Sequence, residues 1–458
     1  MRISRRQFLG SAAALLGSAT LCRAEALTAD GFIEIRAQPV TLGLLEGGAG
    51  KTGAWLFGKG PEPAVIHARQ GQEMKLRFIN DLDREIWLHF FGVRGPSDVM
   101  TLNVPPGADQ AVDAVFTPPD AGTFWIGPML EQSRLRGMGL SAVLVVEEAE
   151  PLPAIADRVL VIDDWKLQPG GAVEDSFGDV EAMVGEGRLG NWFTLNNRFR
   201  PRIALNGAGY TRLRIVNAGN ARNTSLLFKG GDPLLIARDG QPVKPAQLGG
   251  KPLELAPGQR ADLLAGVEGG DIALALALFE DVAEIGYLTA AVGQGTPPAI
   301  AENFTLPANP VSVPKPGEAS RAIAITLEGG LRGGLSSAFF NGATRDLRTL
   351  LENGKGWAMN GVAGPSPVPL FSARRGETLR LDIENRTAFA QPLHIHGHVW
   401  QEDAAEPTES LRDTAIIPAG QRVSLTFVAD NPGLWAIHSL VAERADGGLL
   451  ASFSVEDA

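Results

Sequence analysis

Three short patterns recur in the same order along this 458-residue chain, and they restrict the fold more than any other feature. The first alternates apolar residues with charged ones and ends in Asn: Met74-Lys75-Leu76-Arg77-Phe78-Ile79-Asn80, Thr211-Arg212-Leu213-Arg214-Ile215-Val216-Asn217, and Thr378-Leu379-Arg380-Leu381-Asp382-Ile383-Glu384-Asn385. Period-two alternation is that of a strand with one buried and one wet face. The second pattern is a Pro/Gly turn that opens another strand, at Val104-Pro105-Pro106-Gly107, Leu255-Ala256-Pro257-Gly258 and Ile417-Pro418-Ala419-Gly420. The third occurs twice, as Gly122-Thr123-Phe124-Trp125 and Gly433-Leu434-Trp435. Strand-and-turn units repeated at domain length predict an all-β chain of three similar β-sandwich domains. The acidic, Pro-bearing residues 147–153 and the Pro-rich residues 297–316 divide it into expected domains 27–150, 151–300 and 301–458. Helices should be few and short, with residues 343–353 the one segment that reads as helical.

Composition narrows the partners. The 55 glycines and 31 prolines suit short strands joined by turns. A net charge of −11 argues against nucleic acid or an anionic membrane surface. Residues 1–26 read as a cleaved twin-arginine leader: Ser4-Arg5-Arg6-Gln7-Phe8-Leu9, an apolar run over 11–21, then Ala24-Glu25-Ala26. The run is too short to span a bilayer. The expected location is therefore periplasmic, reached through the twin-arginine export machinery, without stable membrane insertion. The single cysteine, Cys22, falls inside the leader. The mature chain then holds no thiol, forms no disulfide and performs no thiolate chemistry.

Four of the six histidines lie between Gln391 and His438. His394 and His396 are two apart, so on a strand both imidazoles face one side. His398 continues the alternation, and His438 follows at the end of Gly433-Leu434-Trp435-Ala436-Ile437-His438. His89 sits far away in Trp87-Leu88-His89-Phe90-Phe91-Gly92, and His67, alone in Val65-Ile66-His67-Ala68-Arg69, reads as structural. By residue type and spacing the H-x-H-x-H run supports either metal ligation or a polar seam.

These residues resemble the multicopper oxidases, proteins of three cupredoxin-like Greek-key sandwiches. The resemblance rests on the segments around His89, Trp125, His394 and His438. Arg412-Asp413-Thr414 and Asp430-Asn431-Pro432-Gly433 lead into the last of these, and Ala237-Arg238-Asp239-Gly240 adds a likeness in the middle domain. It implies a type 1 copper held by His, Cys and His, and a trinuclear cluster held by eight histidines. By correspondence Gln391, Ser439 and Arg444 stand at the type 1 positions, and serine lacks the soft thiolate sulfur that such a copper needs. His89 and His394 correspond to the type 2 ligands. One type 3 copper would fall to Phe91, Gly127 and Leu440, which cannot bind it. The other would fall to Met129, His396 and His438. The implied site is thus His89, His394, His396, His438 and Met129, holding one or two copper ions, with no ordinary four-electron oxidase activity. Two alternatives stand beside this copper-binding reading. One is a metal-free periplasmic scaffold with a cell-envelope protein partner, similar to the copper-free division protein of the same fold. The other is an oxidoreductase using a type 2-like copper alone.

Overall fold

The computed structural model describes residues 28–457, except 153–154, 206–208, 268–269, 291–303, 315–316, 318, 320 and 403–410. The expected leader, and parts of both expected linkers, lie outside the described residues. Six main sheets pair into three successive two-sheet sandwiches. In each, the Asn-terminated strand lies inside one sheet with the same neighbours. Met74–Asn80 runs parallel to Ile33–Leu42 and antiparallel to Gly107–Phe116. Thr211–Asn217 lies between Ala156–Trp165 and Arg260–Ala265 in the same sense. Glu377–Asn385 lies likewise between Arg321–Gly329 and Arg422–Ala429. Each second sheet also carries one parallel pair: Ala64–Arg69 with Ala142–Glu147, Arg202–Leu205 with Val282–Ala290, and Ser372–Arg374 with Leu450–Glu456.

The structure explains why the first two sequence patterns travel together. The side-chain amide of Asn80 donates to the carbonyls of Arg84 (2.7 Å) and Val104 (2.9 Å), and its oxygen accepts from the Leu82 amide. Asn217 makes the same bonds to Arg222 and Leu255, and accepts from Gly219. Asn385 makes them to Phe389, Ile417 and Pro418, and accepts from Thr387. Val104, Leu255 and Ile417 are the residues that enter the Pro/Gly turns. One buried side chain thus closes the turn after its own strand and pins the turn before the next, satisfying backbone groups that neither ladder reaches.

Two expectations change. Residues 343–353 are not one helix: Ala343–Asp346 is a strand paired with Ser337–Phe340, and only Leu347–Glu352 is helical. The hairpin signal is Asn341-Gly342, both at positive φ, as a two-residue turn requires. Asp346 then caps the helix, accepting from the Thr349 amide at 2.8 Å. The second Pro-rich stretch is also more than a spacer. Asn309 bonds to Ala121 through both its oxygen and its amide, and to the Gly240 carbonyl, stitching the first sandwich to the second.

The middle sandwich has its own apolar core. The first and third share one continuous core, which runs from Phe78 and Phe124 to Ile395 and Phe453. The seam between these two sandwiches is therefore as close-packed as an interior, and four of the histidines lie along it. The Asn clamps set a measurable stability. Replacing Asn385, which is 1% exposed, by Ala strands three carbonyls and should lower stability by roughly 2–4 kcal/mol. Asn353→Ala at an exposed helix end should change it by less than about 0.5 kcal/mol. Denaturant midpoints of the transition that includes the third sandwich measure both.

Candidate metal centre

His89 lies on Ile86–Phe91, His394 on Gln391–Ile395 and His438 on Gly433–Ser439; His396 directly follows the second of these strands. His394 is paired with His438 across the third sandwich's sheet. His89 reaches them from the first sandwich, paired with Gly127 on one side and Thr101 on the other. All four imidazoles are buried, three of them with no exposed surface. One ligand nitrogen each from His89, His394 and His396 lies within 4.8 Å of the others. The His89 and His396 rings stack at 3.5 Å between centroids.

The nitrogens divide into fixed and open. His394 Nδ1 donates to Asp413 Oδ1 (3.2 Å) and Thr414 Oγ1 (3.1 Å), because the Thr414 hydroxyl itself donates to Asp413. That fixes the tautomer and leaves the His394 Nε2 lone pair facing the cluster, where it has no partner. His89 Nδ1 bonds Thr101 Oγ1 at 2.9 Å, and its Nε2 is likewise buried and unpartnered. His438 Nδ1 donates to the Ser439 carbonyl at 2.8 Å, so its Nε2 accepts from His396 Nε2 at 2.9 Å. A buried lone pair without a donor costs free energy, and here two such pairs converge. One nitrogen held by an oxygen and the other left open is the arrangement of a metal-binding imidazole.

Asp413 is anchored from the middle sandwich. Arg260 pairs with it and also contacts Asp239 at 3.8 Å. Burial opposes ionisation of Asp413, but the Arg260 cation and the bond from His394 hold its carboxyl well below the usual range. Thr101 and Arg260 are positioning residues for which the sequence carries no signal. Asp413 and Thr414 stand in the sequence only as part of a family-like approach, without a role of their own.

The remaining predicted residues fall around this group. Phe91 packs against all four rings, with centroids 4.9 Å from His89 and 5.3 Å from His394. Phe91, Trp125 and Leu440 join valines of the first two sandwiches in one dry cluster. Gly127 faces the Trp125 ring so closely that an added Cβ would stand 2.5 Å from it. Met129 is buried beside Ala436 and Leu450 in a small apolar cluster at the edge of the seam. His398 bonds the His396 carbonyl and packs on Trp435 instead of joining the group. His67 is remote, in the wall of a cleft between the first two sandwiches, 3.8 Å from Glu147. Gln391, Ser439 and Arg444 bond to one another: Arg444 Nη1 donates to Gln391 Oε1 at 3.0 Å, and Ser439 Oγ lies 3.5 Å from the same oxygen.

Burial, and then repulsion among their neighbours, holds His89 and His396 well below the ordinary imidazole value. Burial and His394 push His438 down to about 3, and burial takes His398 to about 4. The sign follows from proton counts. Between about pH 6.5, where unfolded imidazoles protonate, and the depressed folded values, the unfolded chain binds more protons. Stability is therefore full above pH 6.5 and falls as pH drops toward 4. Each such histidine should contribute a slope of about 1.4 kcal/mol per pH unit. Chemical denaturation between pH 7.5 and 4.5 should show that slope reduced by about one proton in His398→Gln.

Residues 341–458 match the family model described as multicopper oxidase. The chain is 24% identical over 420 residues to the multicopper oxidase MmcO of Mycobacterium tuberculosis, covering 82% of this chain and 77% of that protein. It is 26% identical over 304 residues to the cell division protein FtsP of Yersinia pestis, covering 59% of this chain and 61%, less than two thirds, of FtsP. The crystal structure of a multicopper oxidase from Pseudomonas thermotolerans superposes with a TM-score of 0.77 at 27% identity, over 92% of this chain and 98% of that one. With three sandwiches, a carboxy-terminal quarter that matches the family model and a histidine cluster on the seam, the chain has the three-domain cupredoxin fold of the multicopper oxidases and is similar to that family.

Proposed function

We propose that this is a periplasmic, twin-arginine-exported copper-binding protein that lacks ordinary oxidase activity. The observation that carries the reading is the pair of buried, unpartnered Nε2 atoms of His89 and His394 converging with His396. Their donor set suits copper, since imidazole nitrogen without thiolate or carboxylate favours it over hard cations. His89, His394 and His396 would hold one ion. His438 would join by releasing its bond with His396. Met129 at the seam's edge is the soft reserve ligand. Copper bound there supplies a one-electron couple.

The chain's own residues do the rest. Asp413 and Thr414 hold the His394 proton on Nδ1, so the metal-facing nitrogen stays free. Phe91, Trp125 and Leu440 exclude water and fill the volume that a further copper would need. Gln391, Ser439 and Arg444 replace a type 1 site with a closed hydrogen-bond network, which removes the usual entry of electrons. That is the reason ordinary turnover is not expected.

A second reading has its own observation. The His396–His438 bond and the aromatic infill satisfy half of the cluster without any metal. A metal-free envelope scaffold would need no more, and FtsP is a cell division protein by name.

Metal analysis of the purified mature protein separates the two. The expected result is about one copper per chain with a type 2 paramagnetic signal and no intense blue band. His89→Ala with His394→Ala should abolish it. Failure of the folded protein to retain copper after reconstitution with Cu(I) and with Cu(II) refutes the copper reading. Electron entry is tested by the triple change Gln391→His, Ser439→Cys, Arg444→His, which should create a blue thiolate band. Ser439→Cys alone should not, because Arg444 still occupies the site.

A further inference from the structure

The hairpin joining Ile272–Ala277 to Val282–Ala290 ends in the tip Leu278-Phe279-Glu280-Asp281. Ala277 pairs with Val282 at its base, and the Leu278 amide donates to the Asp281 carbonyl at 2.8 Å, so the tip is held in shape. Phe279 stands fully exposed on it, and Val282 beside it is 47% exposed. An aromatic ring held in water forgoes the burial that such a side chain ordinarily supplies. Glu280 and Asp281 are exposed as well, and among the described residues neither has an ion-pair partner.

A cleft of about 810 Å³ lies between the first and second sandwiches. Its apolar walls are Leu45, Val65, Val159, Phe199 and Ile203. Most charges that line it are already matched. Glu62 pairs with Arg198 at 2.6 Å, Asp157 with Arg214 at 3.1 Å, and Arg202 with Asp271. Arg158 is left over. Its Nε donates to the Ala204 carbonyl at 3.2 Å and its Nη1 to the Asp157 carbonyl at 2.9 Å. Among the described residues it has no carboxylate within ion-pair distance. It is only half-buried and lines the open cleft, so an incoming carboxylate can reach it.

We infer that this cleft receives the Phe279 tip of a second copy of the chain, with the ring between the apolar walls and the two adjoining carboxylates facing Arg158. The tip offers an aromatic ring with two unpaired acids, and the cleft offers apolar walls with one uncompensated cation. Apolar contact supplies the attraction, and the opposite charges set the register. Elsewhere the net charge of −11 makes copies repel each other. One strand links the two features: Val282–Ala290 starts at the tip and pairs near its far end with Arg202–Leu205 in the cleft wall. About 16 Å of strand separates Val282 from the Arg202 pairing, so the tip fills the cleft of another copy and not its own. Such a head-to-tail contact adds copies in a row. Neither face uses the four clustered histidines, so the contact stands whether or not copper is bound.

Sedimentation of the full mature protein over a range of concentrations should show an average mass that climbs above one chain. The association should weaken as salt rises from about 50 mM to about 500 mM. Phe279→Ser, at an exposed tip that does not threaten folding, should weaken it by roughly tenfold or more and leave the copper content unchanged. Arg158→Glu should remain a single chain, and so should the double change Glu280→Arg with Asp281→Arg. Mixed together, these two variants should associate again, because each tip then meets a cleft of opposite charge. Recovery on mixing also shows that both variants are folded. A wild type that stays a single chain throughout overturns the assignment and leaves the tip to a different protein. Wild-type association in Phe279→Ser, or no recovery on mixing the charge-reversed variants, overturns it equally.

Discussion

The pairing of Arg260 with Asp413 is the contact on which the rest of the centre depends. One partner comes from the second sandwich and the other from the third, and both are fully buried. Removing two charges from water costs several kcal/mol per ion unless their remaining donors and acceptors are filled. Here they are filled. Arg260 also donates to the carbonyls of Gly258 and Thr123, and Asp413 accepts from Thr414 and His394. Because the carboxylate stays ionised, it dictates which His394 nitrogen carries the proton. A contact between two domains thereby sets the chemistry of a side chain that belongs to one of them.

A second junction works in parallel. Arg136 of the first sandwich donates to the carbonyls of Leu440 and Gly219, which belong to the third and second. Asp446 accepts from the amides of Gln132 and Ser133, and Asn220 bridges Ser133 to Glu443. With no disulfide in the described chain, these buried polar ties and the continuous apolar core hold the three units in register. Between the two junctions lies the divide that marks this molecule. On one side of Phe91 the seam is polar and histidine-rich; on the other it is packed with Trp125, Leu440 and valines. Aromatic infill leaves that side close-packed and dry.

Much of this architecture was legible in the sequence because period-two alternation and Pro/Gly turns are local signals. The three Asn residues were visible as punctuation, but their role was not. A side-chain amide bonded to a carbonyl more than twenty residues away leaves no local trace. A single helix over residues 343–353 does not form because Asn341-Gly342 is a strong hairpin signal that draws Ala343–Asp346 into a strand. Four histidines could be grouped by resemblance alone. Which nitrogen of each is open could not, since that is decided by Thr101, Asp413 and Thr414, residues distant in sequence or without a pattern of their own. The reach of Arg260 across a domain boundary was equally invisible.

Gly92 carries one more consequence. It follows the strand bearing His89 and Phe91, at φ +84°, and an added Cβ would lie 2.3 Å from Arg260 Nη2 and 2.4 Å from Asp413 Oδ2. The backbone of the first sandwich therefore closes directly over the ion pair formed by the other two. The centre is a property of the docked trio, not of any single unit. A third sandwich made alone would carry three of the four clustered histidines with an unneutralised aspartate beneath them. The complete pocket therefore exists only where all three sandwiches are in contact.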